Sequence, residues 1–450
     1  MDQLTEQIAS YAASLNYKDL RTEAIHAVKR SVVDSIGCAI GAFSAEPVKA
    51  ARSVATRVTC TTPATLIGTR IQTSPELAGF VNGVMIRYLD FNDDYMNWDG
   101  PHPSDSIGTI WAVAESIHAD GKSLVLGITL AYEICNQFVD SVNFRGRGWD
   151  YTLDHSMGTA MAAGRILGLN KEQLENALSL SIIPYVSLWQ TRLGEISMWK
   201  GCAGANGARN GLFAVLLAKE GMTGPEMPFD GDGGLRKWVT GPFELDTFGG
   251  RDHPFKVERT FLKALPIKYT AQLPVWTALE LRQKVNVEDI QSLCMYGDRL
   301  TKIGSAGPEE WNPKSRESAD HSYPYLVAAA LIDGEITSKT FTPERYRDPI
   351  ILAMAKKISA EEDPLYSKDL PDTFHCRLEA TLRSGEVVAV HQTNPRGHPS
   401  NPMTDQEIND KFLRLVEPSL TSQQSRALLD ELWNLEKLHD VSQPFKLMVV

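Results

Sequence analysis

Apolar residues in this chain keep one spacing up to about residue 260 and another afterwards, and that change limits the fold more than any single motif. In the first part nearly every segment places apolar side chains three and four positions apart, between turns marked by Gly, Pro and Asp. This predicts helices over 20–42, 75–90, 107–118, 124–139, 157–167, 171–181 and 201–219. Several are rich in Ala and Gly, above all KGCAGANGARNGLFAVLLAKEG, which lets helix backbones approach closely. After about residue 262 the texture changes. Segments 290–296, 375–382 and 386–392 alternate apolar and polar residues, the last two joined by Arg383, Ser384 and Gly385 as in a hairpin. Segments 322–331 and 343–358 read as helices, and helical spacing returns from 404 to 438. The expected architecture is mainly α: a large all-helical domain of 1–262 plus 404–450, with a smaller α+β domain of 263–403 inserted in it.

A chain of 450 residues exceeds one ordinary hydrophobic core, which agrees with two domains. Its net charge of -11, without any run of Lys and Arg, argues against nucleic acid as a partner. A small anionic substrate stays open, because a few local cations can dominate a pocket. The six cysteines form no CxxC pair, which disfavours an iron–sulfur cluster or a structural zinc. The first twenty residues lack the basic and apolar regions of a secretory signal, and no apolar stretch is long enough to span a bilayer. A cytoplasmic protein without a membrane partner is the expectation.

Chemistry concentrates in LDFNDDYMNWDGPHPSDS, 89–106, a break between two helical patterns. Asp90, Asp93 and Asp94 continue the upstream helical spacing at i, i+3 and i+4, which would set three carboxylates on one face near a helix C-terminus. Mutual repulsion and the negative end of the helix dipole would then raise at least one pKa toward neutrality, as a general acid or base requires. His102 precedes a helix start at Ser104 or Asp105, where a neutral imidazole can shuttle a proton or meet a substrate carboxylate. A histidine held in a proline-rich turn is the competing reading. His155, in WDYTLDHSMGTA, repeats the arrangement with Asp154 beside it, and an ordinary turn histidine competes there too.

Lys200 and Arg209 flank the small-residue segment. Arg209 could fork a carboxylate and Lys200 act as a point charge, or both could be solvated surface charges. Lys268, in LPIKYTAQ, stands where the helical part gives way to the α+β part, a common place for a cleft, with the same bland alternative. In RESADHSYPY, Asp320, His321 and Tyr323 precede an apolar helix and read as its cap. FDGDGG is a glycine turn rather than a calcium loop, because Gly241 occupies the bidentate glutamate position. The sequence contains no Walker A, GxSxG or HExxH motif.

Five segments in order, VVDSIGCAIGA, LDFNDD with GPHPSD, HSMGTAMAAGRILGL, WKGCAGANGARNG and ESADHSYPYLVAAALIDG, resemble the MmgE/PrpD family. That family includes 2-methylcitrate dehydratases, cis-aconitate decarboxylases and an iminodisuccinate epimerase. The resemblance implies a helical domain with an α+β lid, a site in the cleft between them, homodimerisation, and no metal or organic cofactor. It carries the family's acid onto Asp90, the histidine of HPS onto His102 and the basic residue of AA(K/R)xG onto Arg209, with Lys268 in the basic segment before the YPA-type stretch. Two departures fall at the pocket. The second family histidine often stands farther from the following GT than His155 does, which makes Tyr151 an alternative for that role. Pro274 stands in YTAQLPVW where some relatives have histidine. The expected function is a cofactor-independent lyase on a small di- or tricarboxylate, dehydrating a 2-methylcitrate-like hydroxy acid. Asp90, His102 and His155 would move protons, and Lys200, Arg209 and Lys268 would bind carboxylates. Decarboxylation or epimerisation through a similar carbanion is the near alternative, and a noncatalytic carboxylate-binding or scaffold protein the distant one.

Overall fold

The computed structural model describes residues 1–450, the side chain of Glu309 excepted. Nine α-helices fill the first 219 residues: α1 (Gln3–Ser14), α2 (Thr22–Gly41), α3 (Glu46–Ala55), α4 (Pro75–Arg87), α5 (Ile107–Ser116), α6 (Gly121–Ser141), α7 (Thr152–Ile166), α8 (Lys171–Ile182) and α9 (Ala203–Lys219). Their starts follow local chemistry. Asp120 accepts the Ser123 N–H at the head of α6, and Asn170 and Gln173 form a reciprocal capping box on α8. The small residues bring helices together as expected. A Cβ on Gly158 would stand 2.6 Å from the Ala131 carbonyl of α6, and one on Gly211 would collide with the Ser156 carbonyl of α7.

A minor ribbon, β1 (Ala64–Thr65) with β2 (Gln72–Thr73), lies beside this bundle. The principal sheet has β3 (Ile290–Gly297), β4 (Ile358–Glu362), β5 (His375–Leu382) and β6 (Val387–Thr393) in the order β4-β3-β5-β6. β4 runs parallel to β3, and the other pairs are antiparallel. Helix α10 (Gln272–Arg282) packs on β5 and β6, with helix Tyr323–Asp333 against it. Helices Asp405–Val416 and Ser422–Trp433 return to the bundle, the first lying on α2.

Apolar burial divides into two clusters. One gathers side chains from Leu4 to Leu262 and again from Met403 to Met448, and the other those from Phe261 to Val390. The chain is mainly α, as its periodicity predicts. Three local expectations are corrected. The helical run over 343–358 is broken after Tyr346 by Asp348-Pro349, because the residue before proline avoids helical backbone, and β4 begins at Ile358. Residues 220–262 hold no long α-helix. Helix α4 ends at Arg87, before the acidic loop.

Candidate active site

Asp90 turns the chain away from α4. Its φ of 52° is left-handed, a conformation aspartate tolerates better than most residues, and its N–H closes the turn on the Arg87 carbonyl at 3.0 Å. Asp90, Asp93 and Asp94 therefore do not share a helix face, and their environments diverge. The Asp90 carboxylate forms an ion pair with Arg87 Nη1 at 2.9 Å and accepts from Lys200 Nζ at 2.8 Å, and Lys263 Nζ closes on Oδ1 and on the Asp90 carbonyl. Burial alone would raise its pKa, but Arg87, Lys200 and Lys263 together hold it well below the usual carboxylate range. Asp90 is thus a permanent anion at the centre of a cation cluster, not the poised base expected from repulsion.

Lys200 also reaches Asp320 Oδ1 at 3.2 Å, and Arg316 Nη1 meets Asp320 Oδ2 at 3.2 Å. His321 Nδ1 lies 2.5 Å from Asp320 Oδ1, and burial followed by the neighbouring Lys200 charge lowers its pKa to about 4. Asp90, Asp320 and His321 bring three potential ligand atoms within 4.8 Å of one another, the arrangement a cation would need. The Lys200 ammonium already stands among them, bonded to both carboxylates. Asp90 and Asp320 thus pair with four buried or partly buried cations, Arg87, Lys200, Lys263 and Arg316, of which Arg87 and Lys200 line a cavity.

His102 is fixed by backbone. Its Nδ1–H donates to the Asp93 carbonyl oxygen at 2.6 Å, leaving Nε2 as the nitrogen with a free lone pair. Burial, with Arg87 and Lys263 nearby, drives its pKa well below the ordinary histidine value, so the ring is neutral at physiological pH. The loop beneath it is pinned from several sides. Asp93 accepts the Ser104 N–H at 3.1 Å, the Ser104 hydroxyl at 2.6 Å and the Tyr132 hydroxyl at 2.7 Å. Lys411, from the returning C-terminal helix, donates to the carbonyls of Phe91 at 2.6 Å and Lys263 at 2.9 Å. Asp93 and Asp94 are both buried.

Asp90, His102, Lys200 and Lys268 all line one cavity of about 950 Å³, as do Arg87, Asp94, Tyr151, Arg192 and His321. Burial and the Arg145 charge lower the Lys268 pKa to about 8. Two candidates lie off this cavity. His155 is fully buried behind the cavity wall, where its Nε2 meets the His102 carbonyl at 3.0 Å and Cys135 lies at 3.6 Å from Nδ1. Its place inside α7, facing α6, turns it away from the cavity, which Tyr151 lines instead. Arg209 is exposed on α9, because the helix turns it opposite to the face carrying Gly207 and Gly211. Arg209→Ala should therefore leave KM and kcat within about twofold of wild type in steady-state assays. A tenfold rise in KM would restore it to substrate binding.

Arg87, Lys263 and Asp320 were not singled out as site residues by sequence. Arg87 carried a signal, a charge in an otherwise apolar helical run three residues before Asp90, whereas Lys263 carried none. Asp105, next to this cluster, is a neutral acid over part of the acidic range, because burial pushes its pKa up to about 7 despite Arg87. Its unfolded value is near 3.8, so the folded state keeps a proton that the unfolded chain has released between those values. The resulting stabilisation is present below about pH 3.8 and lost as pH rises toward 7. Asp105→Asn should flatten that fall in urea-unfolding free energy across the interval, and an unchanged slope would contradict the assignment.

Comparison with known proteins places this geometry in context. The model of the MmgE/PrpD N-terminal domain matches residues 6–247, and that of the MmgE/PrpD C-terminal domain matches residues 266–436. The chain is 26% identical over 439 residues to a mitochondrial 2-methylcitrate dehydratase of Yarrowia lipolytica, covering 88% of this chain and 80% of that protein. It is 23% identical over 464 residues to a cis-aconitate decarboxylase of Mus musculus, covering 98% and 92%. It is 26% identical over 434 residues to a 2-methylcitrate dehydratase of Cupriavidus necator, covering 88% and 86%.

Proposed function

The chain belongs to the MmgE/PrpD family, and on that premise we propose that it is a carbon–oxygen lyase acting without metal or organic cofactor on a small di- or tricarboxylate. Dehydration of a 2-methylcitrate-like hydroxy acid is the reaction we assign. The observation that carries it is the neutral His102, its Nδ1–H tied to the Asp93 carbonyl, on the wall of a cavity lined by Lys200, Lys268 and Arg87. A carbon acid next to a carboxylate needs a base of this kind and fixed cations for the charge that develops as the proton leaves. His102 Nε2 takes that proton. Lys200 and Lys268 hold the substrate carboxylates and stabilise the enolate-like transition state. Asp90 sets the position and charge of Lys200, and His155 supports the backbone of His102.

The lid arrangement belongs to the same proposal, with 263–403 closing over the helical domain of 1–262 and 404–450. The two separate apolar clusters support it. So does the presence of cavity residues on both sides, Asp90 and His102 on one, Lys268 and His321 on the other. A homodimer is the proposed assembly, and exposed Ile183, Val186 and Trp238 around a shallow pocket of about 140 Å³ offer an apolar face for it. Six unpaired cysteines fit a reducing, cytoplasmic setting.

Offering 2-methylcitrate, citrate and cis-aconitate in turn tests the reaction. A rise in ultraviolet absorbance with 2-methylcitrate is the expected result. Carbon dioxide release from cis-aconitate would assign a decarboxylase instead, and solvent deuterium uptake without net product an epimerase. Silence with all three would remove the proposed substrate class.

A further inference from the structure

The three carboxyl groups of the acidic loop are treated differently by their surroundings. Asp90 is wrapped in cations, and Asp93 accepts three hydrogen bonds. Asp94 has neither arrangement. It lines the cavity, its side chain is 5% exposed, and its Oδ1 is buried with no hydrogen-bond partner among the described residues. Its Oδ2 lies 3.5 Å from His102 Nδ1, whose proton is already given to the Asp93 carbonyl. A buried carboxylate needs donors on both oxygens, whereas the neutral acid needs only one acceptor for its own proton. The backbone of Asp94 is also held, by paired hydrogen bonds with Phe261 of 2.9 and 2.8 Å.

We propose that Asp94 is the proton donor of the reaction, protonating the hydroxyl group that leaves the substrate. This rests on the lyase reading above and adds the acid that His102 requires as its counterpart. The step balances within the site. His102 Nε2 removes the proton from carbon, the released electron pair rests on the adjacent carboxylate as an enolate beside Lys200 and Lys268, and it then forms the carbon–carbon double bond as the carbon–oxygen bond breaks. The oxygen takes the Asp94 proton and departs as water. The pair ends as imidazolium and carboxylate, adjacent and of opposite charge, and solvent exchange resets both. Burial supports the starting state by pushing the Asp94 pKa well above the carboxylate range. Lys263 and Arg87 oppose that shift, and Asp90 and Asp93 reinforce it.

Asp94→Asn keeps the shape and the neutral charge but has no acidic proton to give. Dehydration is expected to fall by about 10²–10⁴-fold. Exchange of the substrate α-hydrogen with deuterated water, which needs only His102, should persist within about tenfold of wild type. Dehydration within about threefold of wild type would overturn the assignment. Loss of exchange together with dehydration would also overturn it, because Asp94 would then be positioning His102. Should Asp94→Asn fail to fold, Asp94→Glu retains an acidic proton and should dehydrate measurably; a folded, inactive Asp94→Glu with normal exchange would count against a proton donor at this position. If wild type turns over no carboxylate, the lyase reading fails and takes the donor with it. An active wild type with an active Asp94→Asn sinks the donor alone.

Discussion

His102→Ala should lower turnover of the accepted carboxylate by about 10²–10⁴-fold, with helical content by circular dichroism unchanged. The ring contributes a lone pair held in one direction. Nδ1–H is committed to the Asp93 carbonyl, and burial with nearby Arg87 and Lys263 keeps the imidazole neutral. Removing it also leaves a buried carbonyl without its donor, which costs about 1–3 kcal/mol of stability. His102→Asn separates the two effects, because its amide can donate to the Asp93 carbonyl but cannot act as a base. It should fold as wild type does and remain inactive. Since the pKa of His102 lies well below the ordinary 6.5, kcat/KM should show no loss of the base as pH falls through 6.5. Unfolding of both variants would instead support a histidine that only holds the proline-rich turn.

Asp90→Asn should destabilise the protein by about 3–5 kcal/mol in urea unfolding, the scale on which breaking a buried ion pair acts. The amide leaves Arg87, Lys200 and Lys263 buried around a neutral partner. The sign with pH follows from the depressed pKa. Asp90 stabilises the fold above its unfolded value, near 3.8, and that contribution disappears as pH falls through the folded value. Asp90→Asn should therefore lose this acid-side slope along with its stability at neutral pH. Activity should fall too, because Lys200 loses one of its two anchors. A variant as stable as wild type and impaired only in rate would make Asp90 a proton carrier instead of the hub of the cation cluster.

The helical part was legible because amphipathic spacing and small-residue packing are local properties. Ala203 through Lys219 and Lys171 through Ile182 fall close to their expected limits for that reason. The loop chemistry was legible only in part. Spacing placed Asp90, Asp93 and Asp94 on a continued helix, but the left-handed turn at Asp90 ends that regularity, and three equivalent charges become an anion, a hydrogen-bonded support and an unpartnered acid. Lys263 was beyond reach because its partner is 173 positions away and no local pattern marks it. Arg209 is the opposite case. A motif placed it at the pocket, but helix phase set it on the exposed side of α9. Asp320 and His321 look like a helix cap in sequence, and only the meeting of both chain regions at Lys200 brings His321 to the cavity, with Asp320 buried beside it.

Removal of a proton from carbon by His102 can be observed without knowing which bond breaks next. Wild type and His102→Asn are incubated with 2-methylcitrate in deuterated water, and the α-hydrogen signal is followed by proton NMR. Loss of that signal with wild type and its persistence with the folded His102→Asn variant are the predicted results. Exchange at the wild-type rate by His102→Asn would contradict the assignment of His102 as the base.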